Sequence, residues 1–128
     1  MDYKKITTLA AVFAALNLPA DVKPDVSAWP ARYHAHKQFE YDVQMAIDAI
    51  NGPDWVADWN DTTQEKYVIW WWIIDKPERA SGRGLAIDDV IYDCSDTGVG
   101  PLLVFRSRKH AEHFAKHFLP LMESYYLG

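Results

Sequence analysis

The stretch YVIWWWIID, from Tyr67 to Asp75, is almost entirely apolar and carries three consecutive tryptophans. β-Branched and aromatic residues favour strands, so the stretch predicts a β-strand. One face of this strand carries Val68, Trp70, Trp72 and Ile74, and the other carries Tyr67, Ile69, Trp71 and Ile73. Either face, if left bare, would approach or exceed the apolar patch of a few hundred Å² that soluble monomers tolerate. Both faces therefore need to be covered.

Two helices are predicted before this strand. Thr7 or Thr8 caps the first, which runs to about Leu16 and is stopped by the NLPAD sequence that follows. Pro30 is well placed in the first turn of the second helix, and the NGP sequence after Ile50 ends it. An irregular connector is expected between the two helices.

Two more strands and one helix are predicted after Tyr67–Ile74. Residues 85–92 form a strand that is broken at Asp88 and Asp89, and residues 102–106 form the third strand. Pro120 lies within the C-terminal helix and predicts a kink or break near Lys116. The whole chain, residues 1–128, is then one α+β domain with two N-terminal helices, a three-stranded antiparallel sheet and a C-terminal amphipathic helix packed on the sheet.

Composition limits the classes of partner. The net charge is −5, and residues 1–105 carry 16 acidic and 9 basic side chains, whereas residues 106–128 carry 2 acidic and 4 basic ones. The acidic body gives no strong nucleic-acid footprint, because nucleic-acid binding needs a basic surface. No apolar run reaches transmembrane length, so no membrane partner is expected. The single cysteine, Cys94, is interpreted as a buried structural thiol and fits a reducing cytoplasm.

Three segments of the chain carry a resemblance to a known group of proteins. The sequences DWNDTTQEKYVIWWW, SGRGLAIDDVIYDCSDTGVGPLLVFRS and KHAEHFAKHFLPLMESYYL occur in this order. Together they resemble a family of small uncharacterised proteins from gut Bacteroides-type bacteria and their phages or prophages. The resemblance implies a compact α+β domain and carries no catalytic residues over. The histidines at His110, His113 and His117 depart from the family pattern.

The segment from Arg106 to Lys109 is a candidate anion site. Arg106, Ser107, Arg108 and Lys109 stand where the third strand passes into the C-terminal helix, which Ser107 is expected to cap. Free backbone N–H groups, a hydroxyl and three cations would converge there on a nucleotide-like anion. The alternative, which the sequence favours, is that these long cationic side chains point into water.

The histidine stripe is a weaker candidate for a metal site. His110, His113 and His117 lie at i, i+3 and i+7 on one helix, and imidazoles so spaced suit zinc. Three histidines of one helix rarely converge on a metal without a further ligand, so a stripe at the border of the core is the favoured interpretation and no cofactor is expected. The sequence DWVADW raises a similar choice, because Trp55 and Trp59 suit an aromatic cage for a base or sugar but are more typical of a core plug.

These observations rank three functions. The first is a non-enzymatic accessory protein of a phage or mobile element that binds an unknown macromolecule or itself. The second is an anion-binding module built on residues 106–109, and the third is a metal-assisted enzyme that uses the histidines. For the strand, we expect cover from within the chain over most of its surface and a homodimer contact over the rest. The residues assigned to that contact are Tyr67, Ile69, Trp71 and Ile73.

Overall fold

A computed structural model describes residues 2–93 and 103–128. The elements are α1 (Leu9–Leu16), α2 (His34–Asn51), β1 (Lys66–Asp75), β2 (Arg83–Asp93), α3 (Arg108–His117) and α4 (Leu119–Leu127), with 3-10 turns at Tyr3–Lys5 and Ala31–Tyr33. The predicted α+β class is confirmed. Cys94 and Leu102, with the interpretations attached to them, lie outside the described residues.

The first two helices begin and end close to where the sequence predicts. The Thr8 side chain accepts a hydrogen bond from the Ala11 N–H at 3.2 Å and so caps α1, and Asn17 ends the helix in the left-handed conformation at φ 56°. The second helix starts later than Pro30 because residues 31–33 form a 3-10 turn before α2. Gly52 ends α2 with φ 86°, a conformation that side chains with a Cβ disfavour.

The strands β1 and β2 form an antiparallel hairpin with one irregularity. Trp70 is opposite Asp89, whereas Trp71 is opposite Ile87, so Asp88 is an extra residue in β2. This is a β-bulge, which lengthens one strand without breaking the pairing. The break predicted at Asp88 and Asp89 is thus a bulge inside a continuous strand.

The prediction of a three-stranded sheet is wrong for the described residues, which form a two-stranded sheet. Of the predicted third strand, the structure describes residues 103–106, and among these Phe105 alone pairs with β1, in an isolated bridge to Tyr67. The Asn51 side chain binds the backbone on either side of Phe105, donating to the Val104 carbonyl at 3.0 Å and accepting from the Arg106 N–H at 3.0 Å. Because Phe105 directs its own N–H and C=O to Tyr67, the Val104 C=O and the Arg106 N–H point away from β1, and the end of α2 satisfies them.

The C-terminal helix, predicted as one element, is two. Phe118 stands between α3 and α4 with φ −120° and ψ 21°, outside the helical region, and Pro120 lies in the first turn of α4. A proline tolerates that position because it lacks the N–H that a helix interior requires. The break therefore occurs two residues after the predicted Lys116.

The core lies between the helices and one face of the hairpin. α2 contacts the other three helices, and both α3 and α4 contact the hairpin. The side chains of Val43, Ile47, Phe105 and Phe114 are almost fully buried at this junction. Within residues 2–93 and 103–128, no helix is both long enough and apolar enough to cross a bilayer.

Candidate functional site

The outer edge of β1 is a row of backbone groups for which residues 2–93 and 103–128 provide no partner strand. Tyr67 and Phe105 exchange two backbone hydrogen bonds of 2.9 Å across this edge. Hydrogen bonding alternates along an antiparallel strand, so Ile69, Trp71 and Ile73 also direct their N–H and C=O groups outward, while the residues between them bond to β2. Among the described residues, these three have no partner on that side.

The side chains that flank this edge are large and apolar. Trp70 and Trp72 are 56% and 58% exposed, and Ile73 is 66% exposed. Both tryptophans belong to the face of β1 that points away from the helices. Exposed aromatic rings next to unpaired backbone groups are a template for pairing with another chain.

The four residues predicted to form an interface are divided by the structure. Tyr67, Ile69 and Trp71 are half-buried and pack against the core, so they are covered largely from within the chain. Ile73 remains exposed. Ile69 and Trp71 direct their backbone groups outward, the backbone of Tyr67 is paired with Phe105, and the most exposed rings belong to the opposite face of the strand.

A cavity of about 430 Å³ lies beneath this edge, between the hairpin and the helices. The described side chains that line it are apolar apart from the hydroxyl group of Tyr126, and they include Ile69, Trp71 and Ile73 from β1. Ile47 and Phe114 form part of the opposite wall. The edge strand therefore has room on its core side for additional apolar side chains.

The candidate anion site is largely occupied by partners within the chain. The Arg106 guanidinium donates to the Asp54 carboxylate at 2.8 Å, and this contact lowers the pKa of Asp54. Arg108 lies 3.7 Å from the Asp89 carboxylate. Ser107 caps α3 by accepting from the His110 N–H at 3.1 Å. The geometry does not favour anion binding at Arg106–Lys109, which stays a prediction.

The histidine stripe is used to anchor the N-terminal segment. The His110 ring stacks on Tyr3 at 3.9 Å between centroids and contacts the Ser107 hydroxyl through Nδ1 at 2.5 Å. The His113 Nε2–H donates to the Ile6 carbonyl at 2.7 Å, and the His117 ring lies 4.4 Å from that of His113. No group of three or more metal-capable side chains occurs in the described part of the chain.

This anchor predicts a loss of stability in mild acid. Burial, followed by nearby positive charge, lowers the pKa of His110 and of His117 below the usual 6.5. The unfolded chain therefore binds more protons near that value, so these groups stabilise the fold above pH 6.5 and this contribution is lost as the pH falls through their folded pKa values. We expect the urea midpoint to be lower at pH 5.5 than at pH 7.5. The double variant His110→Gln, His117→Gln should flatten this dependence, and an unchanged slope would contradict the assignment.

Two buried polar residues that hold the fold together, Glu123 and Asn51, belong to no sequence motif and were not predicted from the sequence. Glu123 is 5% exposed and receives hydrogen bonds from the Lys76 ammonium at 2.7 Å and the Leu85 N–H at 2.9 Å. Asn51 is 4% exposed and holds residues 104–106, as described above. The one available signal was Glu123 itself, the sole charged residue in the largely apolar segment LPLMESYYL.

Comparison of the chain with protein-family models, with curated proteins and with solved structures gave no match. The resemblance to small proteins of Bacteroides-type bacteria and phages therefore stays a prediction.

Proposed function

We propose that the protein is a binding protein that self-associates, and that two copies pair through the outer edges of their β1 strands. The observation that carries this proposal is the row of unpaired backbone groups at Ile69, Trp71 and Ile73, bordered by exposed tryptophans. The proposal narrows the sequence-based expectation of a macromolecule-binding protein to one occupant, a second copy of the chain.

The limits of the free edge determine the register of the pair. The edge begins after Tyr67, which is paired with Phe105, and it ends at Asp75, before Pro77, which has no N–H to donate. The midpoint of the outward-facing residues 69–75 is Trp72. A two-fold axis at Trp72 places Ile69 opposite Asp75 of the second copy and Trp71 opposite its Ile73, and the Tyr67–Phe105 bridge is left intact.

This register covers the apolar surface that the fold leaves open. Ile73 of the second copy lies on the same sheet face as Trp71, which lines the cavity beneath the hairpin. On the other face, the two Trp72 rings are neighbours, and Trp70 faces Ile74 of the second copy. Aromatic and β-branched cross-strand pairs of this kind each contribute ~0.2–1 kcal/mol. The paired edges also satisfy backbone groups that a solitary edge strand exposes.

The test is a proline on the free edge. Ile73→Pro removes an N–H that points away from β2, so the hairpin keeps its own hydrogen bonds while the dimer loses two. At ~0.5–1.5 kcal/mol for each net bond, dimerisation should weaken roughly tenfold or more relative to Ile73→Ala, which retains the N–H. Light scattering across a concentration series measures this. A wild type that remains monomeric at all concentrations, or equal dimerisation of the two variants, would refute the proposal.

A cysteine pair tests the register. In a Cys94→Ser background, Trp72→Cys places two cysteines opposite each other in a non-hydrogen-bonded pair, where the Cα atoms are ~4.5 Å apart. That distance suits a disulfide, whose Cα atoms are ~4.4–6.8 Å apart. Trp70→Cys is the matched control, because the register places it opposite Ile74 rather than its own copy. Equal cross-linking of the two variants would contradict the two-fold axis at Trp72.

A further inference from the structure

A second cavity, of about 700 Å³, lies at the C-terminal end of α2. Its walls are the C-terminal ends of α1 and α2 and the loop that follows α2, which supplies Trp55 and Trp59. Both indoles are half-buried. The volume falls in the ~300–1,000 Å³ range of small-molecule sites, and the lining combines apolar walls with few polar groups, as such sites do.

One carboxylate in this lining, that of Asp48, has no cation to pair with among the described residues. Asp48 accepts a hydrogen bond from the Gln44 amide at 3.0 Å, and within residues 2–93 and 103–128 it makes no ion pair. Asp48 is an exposed residue, yet the burial of part of its side chain raises the pKa of its carboxyl, and the Gln44 hydrogen bond opposes this change. The two buried carboxylates among the described residues, Asp42 and Glu123, each contact a lysine.

The tryptophans of the same loop are suited to cations. The Lys66 ammonium lies 4.8 Å from the Trp59 ring centroid, so one indole of this loop already contacts a positive charge. Indole faces attract cations because the ring quadrupole is negative above the plane. Trp55 lines the cavity with Asp48 and has no cation over its ring among the described residues.

We propose that this cavity binds a small organic cation, with the ammonium group between the Asp48 carboxylate and the Trp55 indole and the apolar part against Leu16 and Ile47. The Asp48 carboxylate supplies the negative charge that attracts the ammonium group, and the ammonium group supplies the cationic partner that the carboxylate lacks among the described residues. The apolar walls select alkylated ammonium groups over strongly hydrated inorganic ions, because an alkylated ammonium loses less hydration on entering an apolar site. This site is separate from β1 and does not depend on self-association.

The experiment uses choline and its neutral isostere 3,3-dimethylbutan-1-ol, in which an uncharged carbon replaces the quaternary nitrogen. Choline is expected to shift the Trp55 indole signal and the backbone amides around Asp48 in ¹H–¹⁵N spectra of the full chain, and the neutral alcohol is expected to bind at least roughly tenfold more weakly. Equal binding of the two compounds would overturn the role of charge. No shift with choline up to its highest practical concentration would overturn the site.

Two variants test whether the Asp48 carboxylate is the negative charge that binds choline. Asp48→Asn keeps the shape of the side chain and should weaken choline binding at least roughly tenfold. Glu112→Gln removes the same charge from an exposed position of α3 and should leave binding unchanged. An equal loss in both variants would reduce the effect to net charge and overturn the proposal, and the ¹H–¹⁵N spectrum of each variant shows whether it is folded.

Discussion

Glu123→Gln is expected to lower the free energy of unfolding by roughly 2–3 kcal/mol, somewhat less than the ~3–5 kcal/mol for a fully buried ion pair. The Glu123 carboxylate lies 2.7 Å from the Lys76 ammonium and 3.7 Å from the Arg79 guanidinium, and it accepts from the Leu85 N–H. These contacts join the turn of the hairpin to α4. The amide would leave two cations without their anion, and because both reach water in part, the cost is reduced.

Gly84 is the reason that Glu123 can approach so closely. A Cβ at Gly84 would lie 2.5 Å from Glu123 Oε2 and 2.2 Å from Lys76 Cδ, so any larger residue would displace the pair.

The stabilities of the wild-type chain and Glu123→Gln are compared by urea unfolding at pH 7, with Glu78→Gln as the control. Glu78 belongs to the same turn but is exposed, so its loss should change stability by less than ~0.5 kcal/mol.

Acid should narrow the difference between the wild type and Glu123→Gln. Burial raises the pKa of the Glu123 carboxyl, but the hydrogen bonds from Lys76 and Leu85 and the charge of Arg79 outweigh it, so that the pKa lies below the usual 4.5. The stabilisation is complete above pH 4.5 and is lost as the pH falls through the folded value. Equal stability of the two proteins at pH 7 would mean that the ion pair contributes nothing to the fold.

The elements with local signals were the ones that the sequence predicted. Thr8 and Ser107 cap α1 and α3 because a side-chain oxygen three residues before an N–H suits the start of a helix, wherever the helix lies in the fold. The β1 strand follows from its own β-branched and aromatic residues. Asp88 and Asp89 marked an irregularity, and the resulting bulge is likewise a local feature of one strand.

The absence of a full third strand and the position of the binding edge could not be predicted, because both depend on contacts between residues that are distant in the sequence. Residues 104–106 have the composition of a strand, yet among the described residues their pairing with β1 is the single Phe105 bridge, and Asn51, 53 residues before Val104, binds their backbone on the side away from β1. The alternation of β1 correctly divided its side chains between two faces, yet which face meets the helices is decided by the packing of α3 and α4. No sequence motif pointed to Asp48, because the cavity around its carboxylate is formed by a loop and two helix ends.

The replacement Asn51→Leu should lower the free energy of unfolding by roughly 2–4 kcal/mol. A buried N–H or C=O without a partner costs ~1–3 kcal/mol, the variant leaves one of each, and the cost for the Arg106 N–H is at the low end because it is only partly buried. Asn51 donates to the Val104 carbonyl and accepts from the Arg106 N–H, and leucine has a similar size but neither group. The Arg106 guanidinium bond to the Asn51 backbone carbonyl, at 2.9 Å, is unaffected by the substitution. The loss should therefore be confined to the two side-chain bonds.

The effect of Asn51→Leu should extend beyond global stability to the Tyr67–Phe105 bridge. Phe105 lies between the two residues that Asn51 holds, so its N–H should exchange with solvent faster in the variant than in the wild-type chain. Asn60→Leu, at an exposed position, is the control and should change neither the urea midpoint nor this exchange rate. If Asn51→Leu left the protection of the Phe105 N–H unchanged, Asn51 would not be the residue that holds this segment against β1.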